Sequence, residues 1–117
     1  MQTFKSIIIE DEKEYIDILK FYLKKIEGIE ILSEYGDTVN AALEIERQKP
    51  DLIFLDINIS GLDGPEFIDL LIHRPKIIIV SSHPESIMKS DYPDVAYDGY
   101  IQKPVDLEKL EAVIQKL

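Results

Sequence analysis

Three short apolar runs constrain this chain most. Ile7-Ile8-Ile9, Leu52-Ile53-Phe54-Leu55 and Ile77-Ile78-Ile79-Val80 are unbroken and rich in β-branched side chains. A strand that is apolar at successive positions buries both faces, as central strands of a parallel sheet do when helices cover both sides. Each run ends in polar residues: Glu10-Asp11, Asp56 and Ser81-Ser82. A shorter segment ends in Tyr100-Ile101-Gln102-Lys103-Pro104. In an open parallel sheet the carboxyl ends of the strands form the ligand crevice. Carboxylates, hydroxyls and a lysine converging there would handle phosphate and a metal ion.

The intervening segments read as helices and complete an alternation of strand and helix. Phe4 to Ile9 is the first strand. Lys13 to Ile26 is a helix with Tyr15, Ile18, Leu19, Tyr22, Leu23 and Ile26 on one stripe, and Gly28 stops it. Glu30 to Glu34 is a more polar strand suited to an edge. Asp37 or Thr38 caps a helix to Gln48, with Val39, Ala42 and Leu43 inward. After the central strand, residues 58–64 form a loop, and Pro65 opens a helix to about Ile72. Lys76 to Val80 is the fourth strand, and Pro84 opens a short helix through Lys89. A fifth strand falls within Val95 to Ile101. Val105 or Asp106 starts the last helix, whose apolar face is Leu107, Leu110, Val113, Ile114 and Leu117. The outline is (βα)5, a doubly wound, five-stranded parallel sheet of flavodoxin-like type.

Composition narrows the possibilities. A chain of 117 residues, 45% apolar, fits one domain with a workable core. The expectation is a single domain over residues 1–117 with no output domain in this chain. Cys is absent, which removes disulfides, thiolate metal sites and thiol nucleophiles and fits a cytoplasmic location. No apolar stretch is long enough for a membrane span. A net charge of −10 argues against direct nucleic-acid binding, which calls for a basic patch.

The polar strand ends divide the chemistry. Glu10 and Asp11, beside Asp56, suit a hard divalent cation such as Mg2+, which favours carboxylate and carbonyl oxygens plus water. Asp56 serves as a ligand, as a nucleophile toward phosphorus, or as both. The Asn58 carbonyl would complete the metal shell, and its side chain would orient a water; the alternative is a simple turn residue. Ser81 would donate its hydroxyl to a phosphoryl oxygen. Ser82 would offer its N–H or cap the next helix. Lys103 would neutralise phosphoryl charge and pair with Asp56 in the absence of phosphate, with a cis bond before Pro104 as one way to aim it inward. Tyr100 packs inward or swings outward. His83 borders the crevice, and His73 reads as a helix-end residue.

Five motifs in order resemble the receiver domain of two-component response regulators: Ile-Ile-Ile-Glu-Asp-Glu (7–12), Leu-Ile-Phe-Leu-Asp-Ile-Asn (52–58), Gly-Leu-Asp-Gly (61–64), Ile-Ile-Val-Ser-Ser (78–82) and Gly-Tyr-Ile-Gln-Lys-Pro (99–104). The resemblance covers essentially the whole chain. It implies Asp56 as phosphoacceptor, and Asp11, Glu10, Asp56 and the Asn58 carbonyl as Mg2+ ligands, Glu10 mostly through water. It implies Ser81 as switch hydroxyl, Lys103 as phosphate-binding lysine, Tyr100 as aromatic switch, and Asn58 and His83 as tuners of phosphoryl lifetime. The expected partner is a sensor histidine kinase or phosphotransfer protein, with Tyr15, Ile18 and Leu19 as docking contacts. A homodimer through helix 4, strand 5 and helix 5 is a further expectation. The implied role is a signalling switch rather than a metabolic enzyme. Ser60 stands where the family commonly has proline. Ser-His-Pro-Glu and the short fourth helix look like receivers attached to LytTR-type DNA-binding domains.

Three other readings share parts of this pattern. A phosphatase of the haloacid dehalogenase type usually carries a second Asp two residues after its nucleophile, where this chain has Asn58. A flavodoxin-like FMN module wants a Ser/Thr/Gly-rich loop after strand 1, where this chain has acids that repel phosphate. A pseudo-receiver would not need the complete set of acids, serine and lysine.

Overall fold

The structure, a computed structural model, describes residues 3–57 and 64–117. Ten elements alternate: β1 (Phe4–Ile9), α1 (Lys13–Leu23), β2 (Ile29–Tyr35), α2 (Thr38–Gln48), β3 (Leu52–Asp56), α3 (Gly64–Leu70), β4 (Lys76–Ser81), α4 (Glu85–Asp91), β5 (Gly99–Gln102) and α5 (Leu107–Gln115). All strand pairs are parallel, in the order β2-β1-β3-β4-β5. This is the doubly wound, flavodoxin-like order, whose crevice lies where the winding reverses between β1 and β3.

The apolar runs form the centre as their composition requires. Alternate residues point to opposite faces. Ile8, Phe54, Ile78 and Ile101 meet Leu19 and Leu23 of α1 and Leu110 of α5. Ile7, Ile9, Ile53, Leu55, Ile77 and Ile79 meet Ala41 and Ile45 of α2, Phe67 and Ile68 of α3, and Met88 of α4. Each fully buried aliphatic side chain contributes about 1.5–3 kcal/mol by leaving water.

Helix faces differ from the expectation. In α1 the buried positions are Ile16, Leu19 and Leu23, while Ile18 is exposed. Apolar residues crowd this helix on too many sides for spacing to fix the inward one. In α2 the buried residues are Thr38, Ala41 and Ile45; Val39 and Leu43 face outward. Asp37 caps α2 by accepting the Asn40 N–H at 2.8 Å, and that start directs Ala41 and Ile45 to the sheet. Helix α3 ends at Leu70, leaving Ile72 exposed, and α4 runs on to Asp91. The fifth strand is confined to Gly99–Gln102. Residues 95–98 are instead tied down individually; the Asp98 carboxylate accepts the Ile77 N–H at 2.8 Å. Gly99 lies where β5 passes α5, and a Cβ there would collide with the Val113 side chain.

Candidate functional site

Register assembles the polar termini. Ile9 pairs with Leu55, so Glu10 leaves β1 beside Asp56 at the end of β3. Asp56 pairs with Val80, and Ser81 pairs with Gln102. The Lys103 N–H then donates to the Ser81 carbonyl at 2.7 Å, carrying the lysine over the same edge. The Lys103–Pro104 peptide bond is cis.

Glu10, Asp56 and Ser81 are buried. One carboxylate oxygen from each of Glu10, Asp11 and Asp56 lies within 4.8 Å of the others, with Asp11 on the open side. The Lys103 ammonium donates to Glu10 Oε1 at 2.8 Å and lies 3.7 Å from Asp56 Oδ2. The expected pair with Asp56 is present, but the tighter partner is Glu10, which the sequence reading did not name. Register explains the difference: both acids are adjacent, and the lysine reaches between them. Glu10 Oε2 accepts the Glu12 N–H at 3.2 Å.

Burial, with the neighbouring Asp56, pushes the Glu10 carboxyl up to about 7 despite the bond to Lys103. Burial pulls the Lys103 ammonium down, but the Glu10 bond and the charges of Asp56 and Glu10 outweigh it and hold it above its ordinary value. The cluster thus holds more acid than one lysine neutralises. Three converging oxygens, one exposed and two buried, could hold a hard divalent ion that keeps part of its water shell. The residues present fit Mg2+.

Ser81 is fully buried, and its Oγ accepts the His83 N–H at 3.1 Å. Tyr100 is half-buried, and its hydroxyl donates to the His83 carbonyl at 2.6 Å. Between them lies a cavity of about 180 Å3, lined in part by Ile57, Ser81, Met88 and Tyr100. The His83 side chain is exposed beside it. Helix α4 has Pro84 at its N-cap, so Ser82 does not cap it. His73 lies beyond α3, in the connection to β4, with its Nε2 2.8 Å from the Pro50 carbonyl. Asn58 lies outside the described residues.

Sequence reasoning placed Tyr15 among docking contacts and missed its position in the site. Its ring centroid lies 3.8 Å from the Lys103 ammonium. Leu19, named with it, is buried and has no surface to offer a partner.

Residues 7–115 match the family model described as the response regulator receiver domain. The chain belongs to that family. The receiver is 30% identical over 115 residues to the transcriptional regulatory protein BtsR of Escherichia coli K12, covering 97% of this chain and 47% of the relative. It is equally 30% identical over 115 residues to the sensory transduction protein LytT of Bacillus anthracis, covering 96% of this chain and 46% of that protein. It thus spans about half the length of these relatives. The response regulatory domain of mrkE from Klebsiella pneumoniae superposes with a TM-score of 0.80 at 29% identity, over 97% of this chain and 93% of that one. This is a receiver domain of a response regulator in two-component signalling.

Proposed function

We propose that this receiver accepts a phosphoryl group on Asp56 from a phosphohistidine of a sensor histidine kinase or phosphotransfer protein, and that the aspartyl phosphate switches an output. The observation that carries this reading is the convergence of Lys103 on Glu10 and Asp56, with Asp11 beside them.

In the forward step an Asp56 carboxylate oxygen attacks phosphorus. The new O–P bond forms as the P–N bond to the donor imidazole breaks. The donor ring carries a proton on its other nitrogen, so the bonding pair leaves with the nitrogen and the imidazole departs neutral. Lys103 turns from Glu10 toward the phosphoryl oxygens and balances part of their charge. Glu10, Asp11 and Asp56, with the Asn58 carbonyl, would hold Mg2+, whose chemistry there is neutralisation of charge on phosphoryl oxygens. Hydrolysis by an in-line water resets Asp56 without a metabolic product, so the domain acts as a switch rather than a metabolic enzyme. Asn58 and His83 tune that lifetime.

Phosphorylation adds about −1.5 to −2 charge. Ser81 turns its hydroxyl to the phosphoryl group, and Tyr100 exchanges the His83 carbonyl for the cavity beside Ser81. The surface of α4, β5 and α5 changes with it and carries the output, either a homodimer contact or a tethered domain. Both relatives above are about twice as long and one is named a transcriptional regulator, so we assign this receiver to a longer cytoplasmic regulator of transcription.

Intact mass after incubation with acetyl phosphate and Mg2+ tests this reading. A single phosphoryl adduct is expected, absent with EDTA and absent in Asp56→Asn. An adduct that persists in Asp56→Asn would refute it.

A further inference from the structure

We propose that Tyr15 is a positioning residue for Lys103, holding the ammonium at the mouth of the acceptor site as it moves from Glu10 to the incoming phosphoryl group. The proposal rests on the phosphoacceptor reading of Asp56.

The lysine is enclosed on three sides. Glu10 Oε1 lies at 2.8 Å, Asp56 Oδ2 at 3.7 Å and the Tyr15 ring centroid at 3.8 Å, while the lysine side chain is only 9% exposed. Two of these neighbours are acids that compete for the same N–H groups. The ring is different. Its electron-rich face attracts the cation through the quadrupole, which is not tied to one N–H direction, and the attraction strengthens where water is excluded. The ammonium can therefore rotate its N–H groups from Glu10 to a phosphoryl oxygen while staying against the ring.

Local structure fixes the ring. Tyr15 lies in the first turn of α1, directly after the acidic segment, and its N–H donates to the Glu12 carbonyl at 3.1 Å. The backbone that places Glu10 and Asp11 thus places Tyr15 as well. Lys103 comes from the far end of the chain, directly after β5. Without the ring, the lysine would remain on Glu10 or extend past it, and the acceptor would lose charge balance when the donor arrives.

Tyr15→Leu keeps apolar bulk and removes the quadrupole; Tyr15→Phe keeps the ring. The rate of Asp56 phosphorylation by acetyl phosphate at saturating Mg2+ is expected to fall about 3- to 30-fold in the Leu variant, the range of a cation–π contact expressed as a rate. The Phe variant is expected to retain the parent rate. The half-saturating Mg2+ concentration is expected to stay the same in both, because the ring is aligned with the lysine and not with the carboxylates. The NMR signals of the Lys103 Hε protons are expected to show an upfield ring-current shift in the parent and Phe proteins and to lose it in the Leu variant. A folded Leu variant with the parent rate, a Phe variant as slow as Leu, or an unshifted Lys103 in the parent would each overturn the proposal. A parent protein that takes no phosphoryl group while Lys103 is shifted would instead remove the acceptor reading, and the positioning role with it.

Discussion

The two ends of the sheet use carboxylates in opposite ways. At the amino ends of the strands, acids serve the backbone. Asp51 accepts the Lys5 N–H at 2.8 Å, joining the start of β3 to β1. Asp98 accepts the Ile77 N–H at 2.8 Å and joins the approach to β5 with β4. At the carboxyl ends, Glu10 and Asp56 are buried together and share one lysine. The first arrangement satisfies a peptide donor and stores no charge conflict. The second buries Glu10 beside Asp56, and burial first, with that neighbouring acid, raises the Glu10 carboxyl to about 7. Glu10 also accepts the Glu12 N–H, so what sets the carboxyl-end acids apart is their crowding around one lysine, not the lack of a backbone bond.

Substitutions can break this contrast, and the largest effect is expected at Lys103. Lys103→Ala should slow phosphoryl acceptance by about 10²-fold or more, the cost of removing a charge-stabilising donor. Single-turnover phosphorylation followed by mass is the check, and a rate close to the parent's would remove the lysine from the mechanism.

At the opposite end, effects should fall on stability. Gly99→Ala places a methyl group against Val113, whose β-branched side chain has little freedom to yield. A loss of about 1–3 kcal/mol in urea unfolding is expected, with the rate of phosphorylation of the folded protein unchanged. Asp98→Ala removes the acceptor for the Ile77 N–H and should cost about 1 kcal/mol, again without changing that rate. A kinetic defect in the folded Asp98→Ala protein would contradict the division.

A pH dependence of stability is expected as well. In the folded protein Glu10 holds its proton up to about 7, against 4.5 for an ordinary glutamate. The folded state therefore binds more protons across that window, and this contribution to stability is present below it and lost as pH rises through about 7. In EDTA, Tm should fall between pH 5 and pH 7.5 more in the parent than in Glu10→Gln. Mg2+ should recover stability at the higher pH. Equal slopes for the two proteins would contradict the assignment.

The same contrast explains what was legible in the sequence. The strands could be read because Ile7 to Ile9, Leu52 to Leu55 and Ile77 to Val80 are apolar on both faces, which leaves no face to choose. The acids were legible because each follows such a run directly. Helix faces were harder. Ile16 and Ile18 are equally apolar, and only packing against the sheet decides that Ile16 turns inward. Val39 and Leu43 misled for the same reason, because Ala41 and Thr38 are small or polar yet fit the close approach of α2. The Lys103–Tyr15 contact joins residues from opposite ends of the chain and belongs to no local pattern. The preference of Lys103 for Glu10 over Asp56 is a matter of about an ångström, set by register and loop path.

The central claim is that the crowded acids at the carboxyl end, and among them Asp56, are where phosphorus is bound. Borohydride reduces an acyl phosphate to an alcohol, so treatment of the protein after reaction with acetyl phosphate and Mg2+ would turn a phosphorylated aspartate into homoserine. Peptide mass spectrometry would then locate it. The account predicts homoserine at position 56 alone. Homoserine at position 51 or 98 with Asp56 intact would contradict it.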